Sequence, residues 1–371
     1  MDSAKRKRVI TFGKKQVEYP SERLGTLRDS TELWKNKDFA CLRATLRDQG
    51  WLYLKKVIPR ENVQAGREKV LDELRCQGLL SDNQPEDRYT GTLNNAVTKM
   101  PFMEGKNDLT HSPQVLGVVE NGELRRLFDG LFATSEQAAP EPPYAAASAS
   151  ITFDYKWLRA VPPNAYTGAH LDWVYMGRGC KELLTCWIPI GDNPVEMGSL
   201  AMLNGSHSLP GFQHLQATYG EMDCERVGLD GSGWFTEDPE EVAELDPHAQ
   251  WLTADFEAGD IMIFTMRTLH MSTTNISDRA RVSCDVRWQP AAAPCDPRYV
   301  GQIDVGERSK VGIWKAAEEK AQDLEDKTPK SPSSLGGKVV DETSVQKRTV
   351  FIEELKQQWG FLPFRVEAVN E

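Results

Sequence analysis

The sequence predicts a mainly β, α+β protein in which an antiparallel β-sandwich or barrel is fronted by N-terminal helices. Two patterns carry this expectation. From residue 149 to residue 288 the apolar residues fall in short or alternating runs broken by Gly, Pro and Asn, as in ASITFDYKWLRAV, ELLTCWIPIG, SLAML, DIMIFTM and ARVSCDVRW. Such runs are the mark of strands in an antiparallel core. Upstream of them the apolar spacing is helical.

In chain order, residues 1–36 read as an N-terminal extension. Its basic run Lys5-Arg6-Lys7-Arg8 is better explained as a solvated tail than as a nuclear-localisation patch. From Lys37 to Gln77 the pattern is helix, short strand, helix: Phe39, Leu42 and Leu46 share a helical face, GWLYL is strand-like, and Pro59 starts a second helix carrying Val63, Val70 and Leu74. SPQVLGVVENG predicts a further helix with Ser112 as N-cap, Pro113 in its first turn and Gly122 just past its end. Ala138 to Ser148, with Pro140, Pro142 and Pro143, reads as a loop.

The strand pattern then runs to Pro294, so 37–294 forms the main domain. Within it His207 to Gln250 is long, Gly-rich and acidic, the character of a lid or a disordered insertion. Residues 295–371 read as a peripheral helical tail: WKAAEEKAQDLEDK is a charged helix and TPKSPSSLGGK a linker. VFIEELKQQWGF is an amphipathic helix whose Val350, Ile352, Leu355 and Trp359 could pack back on the body.

Bulk properties exclude several classes. Lys and Arg total 44 against 55 Asp and Glu, a net charge of −11, which speaks against nucleic acid or an anionic membrane as partner. The seven cysteines are scattered, with no CxxC pair, and read as reduced thiols, not as a disulfide frame or a zinc finger. Neither an export signal nor a membrane-spanning run is visible. The expectation is a soluble, cytoplasmic protein acting on a small molecule; the sequence leaves its oligomeric state open.

Only six histidines are present, at 111, 170, 207, 214, 248 and 270, so an imidazole-rich metal site has few sources. His170 and Asp172 lie in GAHLDWVYM; on an extended strand residues i and i+2 face the same side and can reach one ion. Further on, Gly259-Asp260 makes an acidic turn before a strand that His270 closes, and Arg281 opens the next. Two imidazoles and a carboxylate form the facial set that leaves positions open on non-haem iron(II). In RVSCDVRW alternation places Arg281, Ser283, Asp285 and Arg287 on one face, a polar lining suited to an ionic ligand. The other histidines read as structure: His207 as a turn residue, His111 in local bonding, His214 and His248 as solvent-facing.

Phe39 to Trp288 resembles the phytanoyl-CoA dioxygenase family of Fe(II)/2-oxoglutarate oxygenases, through GAHLD, LLTCWIPIGDNPVEMGSLAMLNGSH and HMSTTNISDRARVS. The resemblance implies a double-stranded β-helix, or jelly roll, with N-terminal helices. It implies iron(II) on His170, Asp172 and His270, with 2-oxoglutarate and dioxygen as co-substrates and succinate and carbon dioxide as products. Arg281 would pair with the distal carboxylate of 2-oxoglutarate, for which a planar guanidinium is well shaped, with Ser283 as second donor and Trp187 lining the site. Leu171 stands where some members have Gln, and Lys99 is the nearest match to an upstream lysine. A carboxylate at Asp172 favours hydroxylation over halogenation, since related halogenases carry a small residue there. Arg159, Tyr175, Trp173 and Arg178 are the candidate substrate residues. Two other readings use the same residues: a non-catalytic β-helix binding module, and a metal-dependent hydrolase that would leave Arg281 without a task.

Overall fold

A computed structural model describes residues 7–81, 87–94, 97, 99–133, 148–301 and 350–361. Lys5 and Arg6, the expected loop up to residue 147, and the charged helix and linker of the tail lie outside the described residues.

The chain opens with β1 (Arg8–Phe12), β2 (Lys15–Tyr19) and β3 (Leu24–Thr26), then α1 (Thr31–Lys35), α2 (Phe39–Gln49), β4 (Trp51–Leu54) and α3 (Arg60–Cys76). The helix, strand, helix expected over 37–77 is present. The Asp38 side chain caps α2 by accepting from the Cys41 amide, and Gly50 ends it at φ +84°, a left-handed value that glycine takes without steric penalty. After α4 (Asp87–Thr90) come α5 (Pro113–Val119) and α6 (Gly122–Phe132). Ser112 caps α5 as expected. Gly122, expected just beyond that helix, instead opens α6, because Asn121 supplies a new cap to the Glu123 amide.

The remaining strands are β5 (Ser150–Thr152), β6 (Trp157–Val161), β7 (Leu184–Pro189), β8 (Leu200–Asn204), β9 (Leu229–Asp230), β10 (Gln250–Thr253), β11 (Ile261–Thr265), β12 (His270–Ser272), β13 (Arg281–Pro290) and β14 (Val350–Phe351). One six-stranded sheet runs β4-β11-β7-β13-β5, with β6 also on β13; a four-stranded sheet runs β12-β8-β10-β3. Every pair in the larger sheet is antiparallel. The two sheets face each other across Trp51, Tyr53, Trp187, Met202, Phe256, Met262 and Phe264. The outer face of the larger sheet, with Leu52, Ile263, Cys186, Cys284, Val286 and Trp288, packs against the helices. That face is continuously apolar because it is covered. Phe128 of α6 stacks flat on Trp288, ring centroids 4.7 Å apart.

One boundary differs from expectation. Residues 8–26, expected as an extension, are part of the fold: β3 completes the smaller sheet by pairing in parallel with β10, and Ile10 and Phe12 are buried against that sheet's outer face. Their short, half-apolar runs carry little periodic signal by themselves. The stretch 207–250 is an ordered insertion with α8 (Gln213–Ala217), α9 (Cys224–Val227) and α10 (Pro239–Ala243), whose Phe212, Leu215, Tyr219 and Phe235 are buried in the same cluster. α11 (Ile352–Gln358) packs on it through Leu355. Among the described residues no helix is long and apolar enough to cross a membrane.

Candidate metal centre

The site grows out of two places where a strand ends. His170 forms a single bridge with His270, the two backbones exchanging hydrogen bonds at 3.0 and 3.2 Å. The chain then turns at once into α7 (Trp173–Met176), with Asp172 in helical conformation at its start. Strand alternation is therefore not what points both side chains to one side; the turn from bridge into helix does it. His270 likewise does not close β11. A turn at 266–269 carries the chain across to the smaller sheet, where His270 opens β12. The centre lies where the two sheets meet.

His170, Asp172 and His270 are buried, and one ligand atom from each lies within 4.8 Å of the others. Both imidazoles have their Nδ1 tied to a backbone carbonyl two residues upstream, Gly168 at 2.8 Å and Thr268 at 3.0 Å. A carbonyl can only accept, so each Nδ1 carries the proton and each Nε2 offers its lone pair. Asp172 Oδ1 stands 3.7 Å from both Nε2 atoms. Asp172 Oδ2 accepts from Thr185 Oγ1 at 2.5 Å and from Arg287 Nη2 at 3.0 Å.

The electrostatics match this donor set. Burial pushes both imidazoles below their ordinary range, His170 to about 3, so that they stay neutral and free to ligate. Burial alone would raise the Asp172 carboxyl, but Arg287, the two imidazoles and Thr185 outweigh it and keep the group ionised. Two neutral imidazoles and one carboxylate suit iron(II).

The polar face expected of β13 is present. Arg281 is 4% exposed; its Nη1 donates to Ser283 Oγ at 2.8 Å, and its Nε is buried without a protein partner. Burial lowers its pKa to about 10, with Asp285 pulling the other way. Among the described residues no carboxylate binds this buried guanidinium and one donor goes unused, an arrangement that fits an external carboxylate. Trp187 lies opposite Asp285 in the β7–β13 register and packs edge-on against Phe256 at 4.9 Å.

The four substrate candidates divide. Arg159 lies opposite Ser283 with its side chain 38% exposed, against 4% for Asp172; its Nε donates to Glu104 at 2.6 Å and its Nη1 to Asp285 at 3.1 Å. The Tyr175 ring stands edge-on to His170 at 5.7 Å and its hydroxyl donates to the Ser232 carbonyl. Trp173 lies beneath the Arg267 guanidinium at 4.6 Å, inside an aromatic cluster with Trp157 and Met176. The Arg178 guanidinium is engaged by Asp223 and Glu225 of the insertion. Lys99 is exposed.

Sequence reasoning missed Thr185 and Glu104 and assigned Arg287 no task. Thr185 could have been found by alternation from Trp187 on β7. Glu104 had no signal, since it reaches Arg159 from a loop far back in the chain. Of the remaining histidines, His207 Nε2 bonds the Arg47 carbonyl at 2.9 Å and His111 Nδ1 bonds Thr110. His214 and His248 are exposed.

The family described as "Phytanoyl-CoA dioxygenase (PhyH)" matches residues 46–283. The chain is 26% identical over 251 residues to a 1-deoxypentalenic acid 11-beta-hydroxylase of Streptomyces exfoliatus, covering 66% of this chain and 79% of that protein. The protein of the same name from Streptomyces arenae matches over the same shares at 26% identity. Among solved structures, EctD from S. alaskensis with 2-oxoglutarate and 5-hydroxyectoine aligns at TM-score 0.47 and 13% identity, covering 80% of this chain and 87% of that one. The non-heme alpha ketoglutarate dependent carbocyclase SnoK from nogalamycin biosynthesis aligns at TM-score 0.45 and 19% identity, over 73% and 90%. With the match spanning both histidine segments and the arginine strand, the chain belongs to the phytanoyl-CoA dioxygenase family, whose members use iron(II), 2-oxoglutarate and dioxygen.

Proposed function

We propose that this protein hydroxylates a carbon–hydrogen bond of a small-molecule metabolite, with iron(II) on His170, Asp172 and His270 and 2-oxoglutarate anchored by Arg281 and Ser283. The observation that carries this reading is the convergence of two neutral imidazoles and a carboxylate in the same lumen as a buried, incompletely paired guanidinium. Bound iron would couple oxidative decarboxylation of 2-oxoglutarate to substrate oxidation. The chain's own residues set the geometry. The backbone carbonyls of Gly168 and Thr268 hold the imidazole tautomers. Arg281 and Ser283 offer donors to the distal carboxylate, and Trp187 with Phe256 forms a dry wall beside it.

Arg159 and Tyr175 are the residues we assign to the substrate side. Arg159 is the most exposed charged group of this lumen among those described above, and its two carboxylate partners hold it in place while its Nη2 has no hydrogen-bond acceptor among the described residues. Hydroxylation of a small molecule agrees with the names of the Streptomyces relatives. The double-stranded β-helix reading is supported by the way successive strands alternate between sheets: β10 in the smaller, β11 in the larger, β12 in the smaller, β13 in the larger. A cytoplasmic setting goes with seven unpaired cysteines.

The test is succinate formation from 2-oxoglutarate by protein loaded with iron(II) under anaerobic conditions and then exposed to oxygen. Oxygen-dependent succinate is expected from the parent and not from His170→Ala or Arg281→Ala. Failure of the parent to bind iron and 2-oxoglutarate would reject the reading in favour of a binding module.

A further inference from the structure

Arg287 is a charged side chain in the driest part of the lumen, 3% exposed. Its Nη2 donates to Asp172 Oδ2, its plane lies over the Trp157 ring at 4.4 Å, and its Nε and Nη1 are buried with no partner among the described residues. A guanidinium retained for strand packing would have those donors paired, because each buried orphan costs about 1–3 kcal/mol. Among the described residues Asp172 is the one hydrogen-bond acceptor its side chain has. Thr185, directly opposite Arg287 in the β7–β13 register, donates to the same oxygen. The two donors thus converge on Oδ2, and Oδ1 is the atom left facing both imidazoles.

We propose that Arg287 and Thr185 are positioning residues that restrict Asp172 to ligation through one oxygen, and so keep a coordination position free for dioxygen. The inference rests on the proposed function. A six-coordinate iron held by two imidazoles and one carboxylate oxygen would keep three positions open, two for the keto acid end of 2-oxoglutarate and the third for dioxygen. If Oδ2 were released, the carboxylate could bind through both oxygens and fill that third position itself. The cross-strand pair prevents this by giving Oδ2 two better-placed donors, one of them charged.

The test uses nitric oxide, a probe for the position dioxygen would take. Parent, Thr185→Val and Arg287→Met are loaded with iron(II) and 2-oxoglutarate without oxygen, and nitric oxide binding is titrated by electron paramagnetic resonance. In both variants nitric oxide affinity is expected to fall by about tenfold or more while 2-oxoglutarate affinity stays within a few-fold, and Thr185→Ser restores the parent value; outer partners of metal ligands typically contribute about 10–100-fold. Variants that are folded by near-ultraviolet circular dichroism and bind nitric oxide like the parent overturn the proposal. So does loss of nitric oxide and 2-oxoglutarate in equal measure, which would mean that the pair holds the site only as a whole. If Arg287→Met does not fold, Thr185→Val, a near-isosteric change, decides. A parent that binds neither iron nor 2-oxoglutarate would sink the proposed function instead, a distinct result.

Discussion

At the scale of single residues, two imidazoles are held neutral in a dry site, and this makes stability depend on pH. In the unfolded chain a histidine titrates near pH 6.5, whereas burial holds folded His170 at about 3 and lowers His270 as well. Between those values the unfolded chain binds more protons, so stability rises with pH; the contribution is complete above about 6.5 and is lost as pH falls toward the folded value. Thermal unfolding of the metal-free protein should therefore show a midpoint that drops steadily from about pH 6.5 to about pH 4, as stability falls by at most about 1.4 kcal/mol per pH unit for each imidazole. His170→Gln should flatten that slope, and a parent profile already flat over this range would contradict the assignment. The same residues show what a sequence can reveal about a site. That His170, Asp172 and His270 come together was legible because metal chemistry restricts residue type and spacing restricts position, and the polar face of Arg281 and Ser283 was legible from strand alternation. Arg287 was in view without a task and Thr185 was missed, since their relation to Asp172 exists only once β7 and β13 are in register. The pairing of Arg178 with Asp223 and Glu225 of the insertion was not legible, because nearness in sequence to the ligands says nothing about which way a long side chain turns.

At the scale of elements, strands and capped helices were readable from period and punctuation, and their partners were not. Ser112 announced α5 through capping chemistry and the spacing of Phe39, Leu42 and Leu46 announced α2, while α6 was hidden by Gly122, which reads equally as a helix end or, after Asn121, as a helix beginning. That helix covers the site strand from behind. Truncating Phe128→Ala removes the ring stacked on Trp288 and should cost about 3–5 kcal/mol, seen as a lower urea midpoint at unchanged denaturant slope. Gly168 tests the other side of the centre. A Cβ there would stand 2.6 Å from the Trp234 ring and 2.8 Å from the Thr236 carbonyl oxygen, so the strap at 234–236 lies against the His170 segment only because this position has no side chain. Gly168→Ala should lose about 1–3 kcal/mol and weaken iron(II) binding measured by anaerobic chelator competition. Unchanged affinity in a destabilised protein would show that the strap supports the fold and not the centre.

At the scale of the whole molecule, the insertion and the C-terminal segment form one connected layer against the His170 segment. The strap joins the His170 segment through the Ala169 amide to the Thr236 carbonyl and the Phe235 amide to the Ala169 carbonyl, both at 2.8 Å. The C-terminal segment grips that strap from outside. β14 pairs in parallel with β9, Lys356 Nζ meets Glu241 at 2.5 Å and lies over the Phe235 ring, and the His214 imidazole bonds the Trp359 carbonyl at 2.6 Å. Leu355 and Phe235 share one buried cluster. This arrangement was not legible, because an amphipathic helix at the end of a chain declares an apolar face without naming what it covers. A tail that merely decorated the surface could be disrupted without consequence for the centre. Leu355→Asp places a charge in that cluster, which unpaired burial strongly disfavours, and should detach α11 while leaving the sheets intact. Hydrogen exchange at the Ala169 and Phe235 amides is then expected to accelerate by about tenfold or more, equivalent to about 1.4 kcal/mol of lost local protection, with Leu52 and Val286 of the larger sheet unaffected. Equal protection at Ala169 in the two proteins would show that the tail does not bear on the metal centre, and acceleration at Leu52 as well would mean that the segment stabilises the molecule globally instead of clamping the strap.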